Sequence, residues 1–168
     1  MKAMGVKKAV VINPEVGNVS VDLRAKGFKE GMGSGVEVLG TTMDFTACRD
    51  AVSAYLPKTP DLDAIMGLGS TSGAEPALEA LKDAGKMNKV KLATFDLSPI
   101  VLQALANKQI EFAIDQQEFF QGYLSVIFMA RYLRYGLLAA SNPVLTGPAF
   151  VTSENAQQVI ELSKKGIR

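Results

Sequence analysis

The chain has 168 residues, 48% hydrophobic and 21% charged, which is enough to bury a domain core and excludes wholesale disorder. With 18 Lys and Arg against 17 Asp and Glu, the formal charge is +1, so there is neither a basic field for nucleic acid nor an acidic tail. One cysteine, Cys48, excludes an internal disulfide and a thiolate zinc cluster, and the count of 0 histidines excludes Ser-His-Asp and Cys-His catalysis, most zinc sites and an imidazole switch.

The predicted elements alternate along the chain. Residues 7–13 are a β-branched run closed by Asn13-Pro14, which predicts a buried strand. Its apolar part, AVVI, is too short for a secretory core of about 7–15 apolar residues. Val19, Leu23, Phe28 and Met32 have helical spacing, and Asn18 can cap that helix over 19–32. Residues 36–40 read as a second strand, and Asp44 caps a helix that ends before Pro57. Residues 63–69 predict a third strand, followed by a third helix with Gly85 just past its end. Residues 89–96 predict a fourth strand, and Ser98 with Pro99 opens a fourth helix. Residues 110–115 predict a fifth strand.

Five strands alternating with four helices predict an α/β fold with right-handed crossovers. The expected architecture is a doubly wound, parallel five-stranded sheet in the order 2-1-3-4-5, flavodoxin-like. The strand sequences are apolar throughout, as helices on both faces of the sheet require. The pattern changes after Asp115. Residues 116–140 predict one long apolar helix starting near Glu118, and 142–151 a strand-like piece marked by Pro and Gly. Ser153 is expected to cap a last helix running to about residue 165. Gln121, Arg131 and Arg134 interrupt the long apolar segment, so it does not supply the about 20 residues of a membrane span.

In open α/β sheets, ligands bind beyond the carboxyl ends of the strands. Those ends carry Asn13, the loop Gly69-Ser70-Thr71-Ser72, Asp96, and Asp115-Gln116-Gln117. Amide, hydroxyl and carboxylate groups together suit a polyhydroxylated ligand. Taken singly, each of these residues reads more readily as a helix cap or a loop residue than as a ligand contact. Asp96 stands out because Ser98 is available for the cap.

The familiar catalytic and cofactor motifs fail. GLGSTSG (residues 67–73) follows a strand and opens a helix, but Ser72 takes the third glycine position of a dinucleotide loop and no acidic partner follows. No phosphate-binding GxxxxGK[ST] occurs, and Thr71 stands where a nucleophile elbow needs serine. Asn13-Pro14 and Asp115-Gln116 lack the acidic pair and lysine of a phospho-receiver. The reading is therefore of a protein that is not an enzyme, with no cofactor and no metal. The aromatic stripe Phe119, Phe120, Tyr123, Phe128, Tyr132 and Tyr135 reads as core.

The successive segments FD-x-SP, FAIDQQ, QGYL and VLTGPAFVTSENAQQVIELSKKGIR, with GVKKAVVIN and LRAKGFKEG at the start, resemble ribose-binding-protein-like sugar-binding proteins of bacterial ABC importers. These are type 1 periplasmic binding proteins. The resemblance covers essentially the whole chain. It implies two α/β lobes joined by three crossings and closing on a sugar. Residues 1–115 would form the C-terminal lobe, 116–143 a crossing and a helix belonging to the N-terminal lobe, and 144–168 a return strand and terminal helix. The sugar contacts it implies are Arg24, Asp96 and Gln116, with Ser70, Thr71 and Asn13 as weaker matches.

The family carries a signal peptide and most of a first lobe upstream, which this sequence lacks. The expectation is therefore a truncated chain that binds a sugar or sugar alcohol weakly or not at all. The full-length parent would be periplasmic and would meet an ABC permease, whereas this chain, without a signal, would stay cytoplasmic. The alternative is the effector domain of a LacI-type repressor, which shares the fold. The apolar segment 118–138, deprived of the other lobe, predicts a homodimer through that helix, with 144–151 available to pair across it.

Overall fold

The structure is a computed structural model describing residues 1–167. Its elements are β1 (Ala9–Asn13), α1 (Val19–Met32), β2 (Val36–Gly40), α2 (Phe45–Tyr55), β3 (Ala64–Gly67) and α3 (Glu75–Asp83). They continue with β4 (Lys91–Phe95), α4 (Pro99–Ala106), β5 (Phe112–Asp115), α5 (Glu118–Tyr135), β6 (Ala149–Val151) and α6 (Ala156–Lys164). Short helical turns occupy Lys2–Met4, Leu56–Lys58 and Ser70–Ala74.

The sheet order is β2-β1-β3-β4-β5-β6. The first five strands are parallel in the order 2-1-3-4-5 expected from the alternation. The expected count of five is corrected to six. β6 pairs antiparallel with β5, placing Ala149 opposite Asp115, Phe150 opposite Ile114 and Val151 opposite Ala113. Within segment 144–151, Ala149–Val151 thus pairs with β5 of its own chain and forms an edge of the sheet.

The predicted caps form. Asn18 and Asp44 accept from Ser20 N–H and Ala47 N–H, and Ser98 Oγ accepts from Val101 N–H with Pro99 opening α4. Gly85 follows α3 at φ +61°. Ser153 does not cap the last helix. Asn155 occupies that position, and its Oδ1 folds back to accept from Thr152 N–H at 2.8 Å. The long helix ends earlier than residue 140, because Gly136 turns left-handed (φ +67°) and its N–H closes on Tyr132 O at 2.8 Å.

The main core lies on the face covered by α2, α3, α4 and α6, where Ile12, Ile65 and Leu92 meet Val52, Leu81 and Leu105. Burying each such side chain contributes about 1.5–3 kcal/mol. The opposite face carries α1, with the N-terminal Met1 packed beside it. Val21 and Ala25 pack on Val11, Met66 and Ala93, so α1 shields the middle of the sheet. Covering helices on both faces is therefore only half realised. Past α1, Phe95, Phe112 and Ile114 are merely half-buried and Phe150 is exposed. β2, at the sheet edge, is also largely exposed.

α5 departs most from expectation. None of its residues is buried, and Tyr123, Val126, Met129 and Leu133 are all exposed. The aromatic stripe read as core is a surface in this chain. Among the described residues, no helix is long and apolar enough to cross a membrane.

Candidate functional site

The glycines of 67–73 serve packing. A Cβ on Gly67 would lie 2.8 Å from Ala74 N and 3.1 Å from Gly73 C, so the turn before α3 folds directly back on the end of β3. Thr94 Oγ1 lies within hydrogen-bond reach of Phe95 O at 2.7 Å and of Gly69 O and Gly67 O at 3.2 and 3.3 Å, which places this turn against β4. The carboxyl ends of β3 and β4 are thereby fixed side by side.

Three predicted residues converge on this rim. Arg24 reaches up from α1, and its Nη1 donates to Leu68 O at 3.0 Å and to Asp96 Oδ2 at 3.1 Å. Gln116 Nε2 donates a short hydrogen bond to the other oxygen, Asp96 Oδ1. Asp96 itself is left-handed (φ +66°), which turns its carboxylate off the end of β4. The Arg24 guanidinium also lies 4.9 Å from the Phe95 ring centre. The Arg24 and Asp96 side chains remain 20% and 26% exposed, so a polar ligand can reach them.

The other predicted residues are placed differently. Asn13 is buried, and its amide is committed inside the chain: Nδ2 donates to Asp22 Oδ1 at 2.8 Å and Oδ1 accepts from Glu15 N–H at 3.0 Å. Ser70 is buried with its hydroxyl 3.4 Å from Leu97 O, whereas Thr71 is exposed beside it. The hydrogen bonds within the Arg24–Asp96–Gln116 group include neither hydroxyl.

A cavity of about 690 Å³ opens beside that group; Arg24 and Gln116 line it with Phe95, Leu124, Phe128 and Phe150, while Asp96 stands behind them outside its lining. Phe95, Phe128 and Phe150 were not expected at the site. Phe95 gave a signal, standing directly before Asp96 on an outward-turning strand end. Phe150 gave none, because its place depends on β6 pairing with β5. Aromatic faces beside paired polar groups suit the apolar face and hydroxyl edge of a polyol ring.

The two chain passages beside the site are tied together. Gln117 Nε2 donates to Thr146 O, and Thr146 Oγ1 donates to Gln116 O at 2.8 Å. A Cβ on Gly147 would stand 2.9 Å from Asp115 O, so only glycine allows this close approach. At the start of α5, Glu118 is exposed as a residue, but partial loss of water around its carboxyl first, and then the negative charges of Asp96 and Asp115, push it above its ordinary range. Among the described residues, no group of three or more His, Cys, Asp or Glu could hold a metal ion.

A doubly wound sheet with a polar, aromatic-flanked carboxyl rim and paired chain passages is the lobe architecture of bilobal solute-binding proteins. Residues 1–137 match the periplasmic binding protein domain family, and the chain belongs to it. A xylose/arabinose-binding protein of Sulfolobus acidocaldarius is 26% identical over 133 residues, 77% of this chain and 33% of the relative. A carbohydrate transporter from Acidothermus cellulolyticus, solved with myo-inositol, superposes with TM-score 0.87 at 29% identity, over 99% of this chain and 58% of that one. An ABC transporter solute-binding protein from Agrobacterium vitis, bound with α-D-tagatopyranose, gives TM-score 0.77 at 26% identity, covering 92% and 53%. The chain thus spans a third of the curated relative's length and somewhat over half of these solved chains. These relatives are sugar- or inositol-binding transport proteins.

Proposed function

We propose that this chain is the C-terminal lobe of an ABC-importer solute-binding protein whose parent closes two lobes on a sugar or sugar alcohol. The observation that carries the reading is the convergence of Arg24 and Gln116 on the two oxygens of Asp96, beside Phe95, at the carboxyl rim. Asp96 accepts from ligand hydroxyls, Arg24 and Gln116 donate to them and hold the carboxylate in place, and Phe95 receives the ring's apolar face. Ser70, Thr71 and Asn13 support the rim from behind or from its edge. Binding, not catalysis, is the role of these groups.

In this reading, residues 1–115 are the lobe, 116–143 a crossing and a helix for the other lobe, and 144–168 the return. The parent acts in the periplasm and presents its closed form to a permease.

One lobe offers an open, hydrated half-site. Each missing hydrogen bond weakens binding by about 1 kcal/mol, so a millimolar dissociation constant is expected. The test is an NMR titration of the chain with xylose, allose, tagatose and myo-inositol. Shifts confined to Arg24, Asp96, Gln116 and their neighbours support the reading. Shifts only elsewhere, no rim shift for any polyol, or submicromolar binding by a monomer would overturn it.

A further inference from the structure

Beyond Asp115 the main chain can no longer carry the pairing of β5 with β6. The antiparallel register sets Ala149 opposite Asp115, so Gln116 comes next opposite Pro148, and proline has no N–H to donate. Side chains take over at this point. Thr146 Oγ1 donates to Gln116 O at 2.8 Å, and Gln117 Nε2 donates back to Thr146 O. Gln121 Nε2 is a second donor to Gln116 O, at 3.2 Å. Gln117 itself is left-handed (φ +55°, ψ +59°), and its N–H is held by Oδ1 of the buried Asp115 at 2.8 Å. A side-chain turn of this kind fixes the path by which the chain leaves β5.

Gln116 is therefore clamped through its backbone while its side chain serves the rim, where Nε2 donates to Asp96 Oδ1. Holding a long glutamine stem in one rotamer costs conformational entropy, so its amide stays on one oxygen only where the backbone beneath it is set. Thr146 lines the same cavity as Gln116, but its hydroxyl is spent on the Gln116 carbonyl and not on Asp96.

We propose that Thr146 is a positioning residue for the polyol site, acting through Gln116: its reciprocal pair with Gln117 fixes the backbone at 116–117 and so keeps the Gln116 amide on Asp96. This role rests on the reading of the rim as a polyol site, and it adds a residue that shapes the site without being one of its contacts. Without the Thr146 hydroxyl, the Gln116 backbone keeps only the longer bond from Gln121, and the amide spends part of its time off Asp96. The coupling runs both ways, so a polyol held at the rim steadies the Thr146–Gln117 pair in turn.

The test uses the 168-residue chain, Thr146→Val, which removes the hydroxyl and keeps the branched shape, and Thr146→Ser, which keeps the hydroxyl. The first readout needs no ligand. Solvent exchange of the Gln116 side-chain amide, followed by NMR, should be about threefold or more faster in Thr146→Val and unchanged in Thr146→Ser. The second is the dissociation constant for the best binder among xylose, allose, tagatose and myo-inositol. It should rise about three- to tenfold in Thr146→Val, the worth of one neutral hydrogen bond, and stay within about twofold in Thr146→Ser. In a Gln116→Ala background, Thr146→Val should change it by less than about 1.5-fold, because the group it positions is gone.

Equal weakening by Thr146→Val with and without Gln116 overturns the proposal, since the hydroxyl would then act on the ligand or on the fold at large. So does unchanged Gln116 exchange in Thr146→Val, or a loss in Thr146→Ser as large as in Thr146→Val. If Thr146→Val disturbs backbone signals throughout the sheet, Gln117→Asn replaces it. That variant draws the other amide of the pair back by one methylene, and the same dependence on Gln116 is expected. Absence of rim shifts for every polyol overturns the sugar reading instead, and Gln116 exchange then still decides whether Thr146 holds the amide in place.

Discussion

Breaking the Arg24–Asp96 pair tests whether the rim is a built site or a chance surface contact. The charged atoms are 3.1 Å apart, and both side chains are about three-quarters removed from water. At about 4 Å and an effective dielectric near 20, the attraction is about 4 kcal/mol. Lost hydration of both ions takes back more than half, leaving about 1–2 kcal/mol of coupling. Asp96→Asn keeps the shape but leaves the guanidinium with Leu68 O and the Phe95 face alone, so a cost of about 2 kcal/mol is expected. Arg24→Met should cost less, about 1 kcal/mol, because Gln116 still serves the carboxylate. The assay is a double-mutant cycle of urea unfolding followed by circular dichroism, at one fixed protein concentration. Additive losses, with coupling under about 0.3 kcal/mol, would refute the reasoning and class the pair with ordinary surface ion pairs.

Three further outcomes follow from the local geometry. Because the folded Glu118 carboxyl titrates above its ordinary value, its burden on stability grows as pH rises from that value through the raised one; Glu118→Gln should therefore unfold at equal or higher urea at about pH 7 and lose that advantage at about pH 4. Asp63 Oδ2 accepts from Lys7 and Lys8 N–H at 2.8 and 2.9 Å, which holds its pKa below the ordinary value. Asp63→Asn should cost about 1–2 kcal/mol at neutral pH, and urea midpoints should show the gap closing as pH falls below about 4 through the lowered value. Gly67→Ala drives a methyl into the backbone of Gly73 and Ala74 and should cost about 2–3 kcal/mol; an unchanged thermal midpoint would contradict that packing.

The parts of the fold legible in the sequence are those set by local chemistry. Asn18, Asp44, Ser98-Pro99 and Gly85 act within a turn of their own positions, and the first five strands announced themselves by apolar runs between helices. β6 was hidden because three residues carry no periodicity, and its identity as a strand depends on an edge supplied by β5. The aromatic stripe of α5 looked like core because apolar composition records what a helix can bury, not whether a partner is present. The Arg24–Asp96–Gln116 group was approachable from both sides. Asp96 stood out as a carboxylate with no cap to make, whereas Arg24 was singled out by the family resemblance alone. Asn13 shows the limit of such reading: a strand-end amide satisfies its own loop as readily as a ligand.

The most direct test of the account is the dissociation constant of one polyol, the best binder of the panel, for the chain and for Asp96→Ala measured side by side by NMR titration. The account predicts about a tenfold or greater weakening, with backbone signals away from the rim unchanged. Equal constants for the two chains would contradict it and remove Asp96 from the ligand site.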